Sequence, residues 1–130
     1  MGTLTATLTL VSSDVSADES LSLSVSRGLT TGQVFNGVSR ATVTTVGANN
    51  IIQPATDGQT YYVYVKHTGT SDGSTSVTTT LNVELTGDTV FAKLAANEFC
   101  FVPVGGHSQG VQLQSSSGNI VAEYAYFVKG

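Results

Sequence analysis

The sequence predicts an all-β chain folded as an antiparallel β-sandwich, with a jelly-roll path favoured over an immunoglobulin-like one. Three observations carry that expectation. Residues 3–10 alternate hydroxyl and aliphatic side chains without a slip, and the same rhythm returns in residues 21–26 and 77–85. A period of two is the signature of a strand with one dry and one wet face. Gly, Asn, Asp and Ser clusters interrupt the chain at short intervals, and no segment sustains the 3.6-residue period of a helix. The immunoglobulin alternative lacks its markers, a cysteine pair and a tryptophan, because Cys100 is the single cysteine and there is no Trp.

Taken in order, residues 3–11 form a strand with Leu4, Ala6, Leu8 and Leu10 on the dry face and Thr3, Thr5, Thr7 and Thr9 on the wet one. Residues 13–20 read as a loop with no more than one helical turn, capped by Ser16 or Asp18. Strands follow at 20–27 and 41–47, separated by the turn pair Asn36-Gly37. Pro54 and Asp57-Gly58 mark a connection into a strand at 60–67, rich in tyrosine. The Thr-, Ser- and Gly-rich stretch 68–80 begins as a loop around Asp72-Gly73 and runs into a strand at 75–86, and Gly87-Asp88 makes a tight hairpin into 89–95. The strand at 98–104 contains Pro103, which lacks an N–H and so belongs on an edge or at the strand's exit. Strands at 110–115 and 119–128 complete the set. The expected core comprises Leu4, Leu8, Leu10, Leu23, Val25, Leu81, Val83, Leu85, Phe99, Phe101, Leu113 and Tyr124.

A length of 130 residues suits one sandwich domain over 1–130, large enough to bury a core without disulfides or metals. Charged residues make up 11% of the chain, less than half of the roughly 25% usual in soluble domains. The surface is therefore coated by neutral hydroxyl and amide groups, or much of it is covered by partners, where charge is depleted. The net charge of −4 and the scattering of Arg27, Arg40, Lys66, Lys93 and Lys129 argue against nucleic acid and against an anionic membrane. No apolar run approaches a transmembrane helix. Met1-Gly2 leads straight into an alternating strand with no signal-peptide pattern, so synthesis in a cytosol is expected. Cys100, between Phe99 and Phe101, reads as a small core hydrophobe.

The search for reaction chemistry yields no constellation, and the chain reads as a non-enzyme without cofactor. A cupin-type metal site needs clustered histidines, whereas His67 and His107 are forty residues apart and each reads as a solvated loop residue. No nucleophile elbow accompanies the many serines. Glu84 and Glu123 interrupt strand interiors on the faces opposite their apolar neighbours, so solvation or an ion pair with Lys66 or Lys93 is expected. A calcium site from Asp14, Asp18 and Glu19 lacks the Gly-centred loop of alternating oxygens. Tyr62 and Tyr64 share one face of their strand, and Tyr61, Val63 and Val65 the other. One tyrosine set walls the core, while an exposed pair would anchor a protein partner or stack on sugars. The uncharged, proline-free strand at the N-terminus is suited to strand addition. Thr3, Thr5, Thr7, Thr9, Tyr62 and Tyr64 are accordingly the candidate partner-interface residues.

Within the C-terminal third, Phe91-Ala92-Lys93-Leu94, then residues 97–104 (Asn-Glu-Phe-Cys-Phe-Val-Pro-Val), Gly110-Val111-Gln112-Leu113-Gln114-Ser115, and Val121-Ala122-Glu123-Tyr124-Ala125-Tyr126-Phe127 follow one another. This pattern resembles the end of small capsid decoration, or cement, proteins of tailed bacteriophages. The resemblance implies a virion structural protein made in the host cytoplasm. It implies binding to the major capsid protein on the outer surface of the shell, often as a trimer, and reinforcement of contacts between capsid subunits. It brings no site residues with it. A carbohydrate-binding or adhesion module, such as a domain of a phage fibre, is the alternative that the tyrosine strands suggest.

Overall fold

The computed structural model describes residues 2–14, 19–32, 37–53, 58–87, 89–105 and 110–129. Ser16, Asp18, Asn36, Pro54, Asp57, Asp88 and His107, named above for turns, caps or ligands, lie outside the described residues. The chain divides into two compact units, residues 1–34 with 129–130, and residues 35–128.

The first unit is a long hairpin of β1 (Gly2–Ser12) and β2 (Leu21–Thr31), paired antiparallel from Gly2↔Thr31 to Ser12↔Leu21. β2 runs four residues past its expected end, because Thr5 to Gly2 supply partners for Gly28 to Thr31. Among the described residues the two strands pair only with each other, apart from one bridge between Thr31 and Lys129. Odd-numbered residues of β2 share a face with even-numbered residues of β1. That face carries the rows Leu4/Leu29, Ala6/Arg27, Leu8/Val25, Leu10/Leu23 and Ser12/Leu21. The opposite face is hydroxylated, with Thr3, Thr5, Thr7 and Thr9 across from Thr30, Gly28, Ser26 and Ser24.

The second unit is an antiparallel sandwich of two four-stranded sheets. β3 (Ser39–Val43), β10 (Ile120–Val128), β5 (Tyr61–His67) and β8 (Phe99–Val104) lie side by side in one sheet. β4 (Ile51–Gln53), β9 (Val111–Ser115), β6 (Leu81–Leu85) and β7 (Thr89–Leu94) form the other. First pairs with last: β3 with β10, β4 with β9, β5 with β8 and β6 with β7. This is one long hairpin, closed at β6–β7, rolled up so that its strands fall alternately into two sheets. The order is that of a jelly roll. Residues of alternate parity meet in the middle. Val63 and Val65 of β5, Val43 of β3, Val104 of β8, and Ile120 and Ala122 of β10 pack against Leu81 and Val83 of β6, Val111 and Leu113 of β9, Leu94 of β7 and Ile52 of β4. Pro103 lies on β8, an edge strand, where its missing N–H breaks no ladder.

Several expectations are corrected. Leu81, Val83 and Leu113 are fully buried, and Leu85 and Tyr124 pack against the core, but Leu8, Leu10, Leu23 and Val25 are exposed. Their alternation was legible, yet alternation fixes which face a residue takes and does not supply a cover for it. Phe99 and Phe101 also lie outside, with 63% and 38% exposure, and Cys100, Val102 and Val104 take the inward positions. Both parities of β8 are apolar, so periodicity cannot choose between its faces. The short strand β4 is an addition. The strands expected at 41–47 and 75–86 are shorter, because residues 44–46 lead into a 3-10 turn at Gly47–Asn49, and 77–80 stay outside the ladder.

Candidate interaction surfaces

Three places collect polar or exposed groups that the core does not explain. The first is the hairpin. Leu8, Leu10, Leu21, Leu23 and Val25 cluster on one face, each between 40% and 53% exposed. Together they leave on the order of 400 Å² of apolar surface uncovered, the size at which a patch on a monomer is commonly functional. A two-stranded hairpin alone is marginally stable in water, and its open edges invite pairing. The threonines singled out from the sequence, Thr3, Thr5, Thr7 and Thr9, are all exposed on the reverse face, where Thr7 Oγ1 and Ser26 Oγ lie 3.0 Å apart.

The second is the outer face of the β3–β10–β5–β8 sheet. Tyr61, Val63 and Val65 point to the core, so Tyr62, Tyr64 and Lys66 point away from it. Tyr61 meets Tyr126 edge-on at 6.1 Å within the core layer. Tyr62 is buried nonetheless and stacks on Phe101 at 6.0 Å, the planes 11° apart. Tyr64 is half-buried and donates its hydroxyl hydrogen to Glu123 Oε1 at 2.9 Å. Desolvation and that bond to a carboxylate push the Tyr64 phenol up to about 12. The Tyr64 hydrogen bond, and then the Arg40 guanidinium at 3.2 Å, hold the Glu123 carboxyl below its usual range. The expected partner of Glu123 was Lys66 or Lys93; the ion pair is with Arg40, its cross-strand neighbour on β3. The rings most open to solvent on this sheet are Phe99 and Phe101, which sequence reasoning had assigned to the core.

The third is polar and buried. Glu84, expected in solvent, is 1% exposed and accepts from Gln112 Nε2 at 2.5 Å. The turn at Gly47–Asn49 closes over the pair, so that a Cβ at Gly47 would lie 2.8 Å from both Glu84 Oε1 and Gln112 Nε2. His67 is likewise buried and not solvated. Its Nδ1 accepts from the Gly69 N–H at 2.9 Å, which places the ring proton on Nε2, 2.8 Å from the Thr79 carbonyl oxygen. The ring thus ties both ends of the 68–80 loop to β5. Cys100 packs against the core, and burial pushes its thiol up, away from the reactive thiolate. Among the described residues no three His, Cys, Asp or Glu side chains gather where they would hold a metal.

Comparison with protein-family models, with curated proteins and with solved structures found no match for this chain.

Proposed function

We propose that the chain is a virion structural protein, a capsid decoration protein that binds the major capsid protein on the outer surface of a tailed-phage shell and reinforces it as a homo-oligomer. The observation that carries the reading is the hairpin: an uncharged strand and a partner strand with a single charge, paired with each other and, among the described residues, otherwise joined only by the Thr31–Lys129 bridge, with the outer half of their apolar face exposed. Such an element gains stability when another chain covers it. The jelly roll that accompanies it supplies a rigid body, and the hydroxylated, charge-poor surface suits a part that spends its life packed on a particle. The buried polar groups are compatible with the same reading: His67 holds the 68–80 loop, and Glu84 bonds Gln112 across β6 and β9.

A glycan-binding module is the second reading. It is favoured by Phe99 and Phe101 on the edge strand beside Tyr64, Glu123 and Arg40, a combination of flat rings and hydrogen-bonding groups. Co-sedimentation of the purified chain with shells that lack it separates the two. The decoration reading expects saturable binding, lost when Leu10 and Leu23 are changed to Asp and kept in Phe99→Ala/Phe101→Ala. Glycan binding that depends on the two phenylalanines, with no binding to shells, would replace it.

A further inference from the structure

The register of the hairpin carries its own complementarity. Partners in β1 and β2 sum to 33, as in Leu10↔Leu23, and the exposed apolar residues occupy the rows Leu8/Val25, Leu10/Leu23 and Ser12/Leu21. One row inward on the same face stands Ala6/Arg27, with the only charge in either strand. Just beyond the last paired row, Ser12/Leu21, the chain carries Asp14, in a bend where it accepts from Ser12 Oγ, and Glu19. The patch thus has a cation one row inward of it and two carboxylates just past its outer end. Among the described residues none of Arg27, Asp14 and Glu19 makes an ion pair within the chain.

We propose that the apolar face of the hairpin is covered by the same face of a second copy, turned end over end about the Leu10/Leu23 row. Face-to-face sheets stack at about 10 Å. A two-fold axis lying between them and across the strands lays Leu23 on Leu23 of the second copy and Val25 on its Leu21. The same operation carries Arg27, at both ends of the patch, to the end of the second copy that bears Glu19 and Asp14. The alternative two-fold, along the strands, lays Arg27 over Ala6 of the second copy, level with that copy's Arg27, and brings the acids of both copies together at the other end, so charge selects the end-over-end arrangement. An isologous contact of this kind closes on itself and leaves no patch over for a filament. Each side contributes about half of the roughly 800 Å² of a standard interface, the size of a weak, reversible contact. The inference deepens the decoration reading by naming the first chain that the hairpin meets, and it stands or falls on separate data.

Sedimentation of the full-length chain from about 1 to 100 µM tests it. The wild type is expected to move from 13.4 kDa to twice that mass. Leu23→Asp is expected to stay at the lower mass throughout. Arg27→Glu should weaken the dimer about tenfold, because two symmetric attractions become repulsions, and Arg27→Glu/Glu19→Arg should restore it. Both charge variants leave the apolar rows intact, and near-ultraviolet dichroism of the tyrosines reports that the sandwich remains folded. A wild type monomeric at about 100 µM overturns the proposal, as does a trimer, or a dimer indifferent to Arg27→Glu. Shell binding by a chain that is monomeric in solution refutes the pairing and leaves the decoration reading standing. A charge-sensitive dimer that binds no shell does the reverse.

Discussion

Leu81→Ala and Leu23→Ala delete the same atoms from two strands with the same alternating pattern, and the structure predicts different costs. Leu81 is fully buried in the middle of its sheet, between Leu94 of β7 and Ser115 of β9. Removing three carbons at about 0.8 kcal/mol each forfeits roughly 2.4 kcal/mol of transfer free energy. Hydrogen-bonded strands on both sides hinder collapse, so a cavity term brings the total to about 3–4 kcal/mol. For a unit the size of the sandwich that lowers Tm by about 15 °C. Leu23 is 41% exposed on the hairpin, and its truncation should cost the sandwich less than about 0.5 kcal/mol. Urea unfolding followed by tyrosine fluorescence, at a concentration low enough to keep the chain monomeric, measures both. A loss below about 0.5 kcal/mol for Leu81→Ala, or equal losses for the two variants, would refute the division between a covered core and an uncovered hairpin face.

Four further outcomes are expected. Gly47→Ala should cost about 1–3 kcal/mol in the same urea assay, because the new methyl drives apart the buried Glu84–Gln112 pair, and Gly47→Ala with Glu84→Ala should recover part of the loss. His67→Leu leaves the Gly69 N–H and the Thr79 carbonyl without their partner and should cost about 2–4 kcal/mol, with faster amide exchange across the 68–80 loop. Alkaline absorbance titration should show a phenol ionising near 12 that is lost in Tyr64→Phe; since its pKa is raised on folding, the associated stability is whole below the ordinary tyrosine range and fades as pH rises through 12. Asp72 accepts from the Thr75 and Ser74 N–H groups, which lowers its carboxyl to about 2. Its contribution is therefore present above the ordinary aspartate range and is lost as pH falls through about 2, which a carboxyl-carbon NMR titration would follow.

Strand existence and the sandwich class were legible because alternation and turn-forming residues are local chemistry, whereas the order of strands within the two sheets is set by pairing between distant residues. The hydroxyl–aliphatic alternation of β1 and the Pro103 edge position depend on backbone geometry that neighbouring residues impose. Burial was legible only where one parity is apolar and the other polar, as in Leu81-Asn82-Val83. β8 is apolar on both parities, so its phenylalanines were assigned inward while Cys100 and Val102 took that place. Glu84 and His67 were assigned to solvent because their strands gave no hint of a covering segment. The cover comes from residues 47–49 for one and from the 68–80 loop for the other. Four-residue β2 extensions and the three-residue β4 exist only through their pairing partners, a nonlocal cause that no sequence window contains.

The most direct measurement is electron microscopy of tailed-phage particles assembled with and without the chain. The decoration reading predicts added density on the outer shell surface, in which Leu10 and Leu23 are buried against another chain. Identical maps, or bound density from which the hairpin projects with its apolar face in solvent, would contradict it.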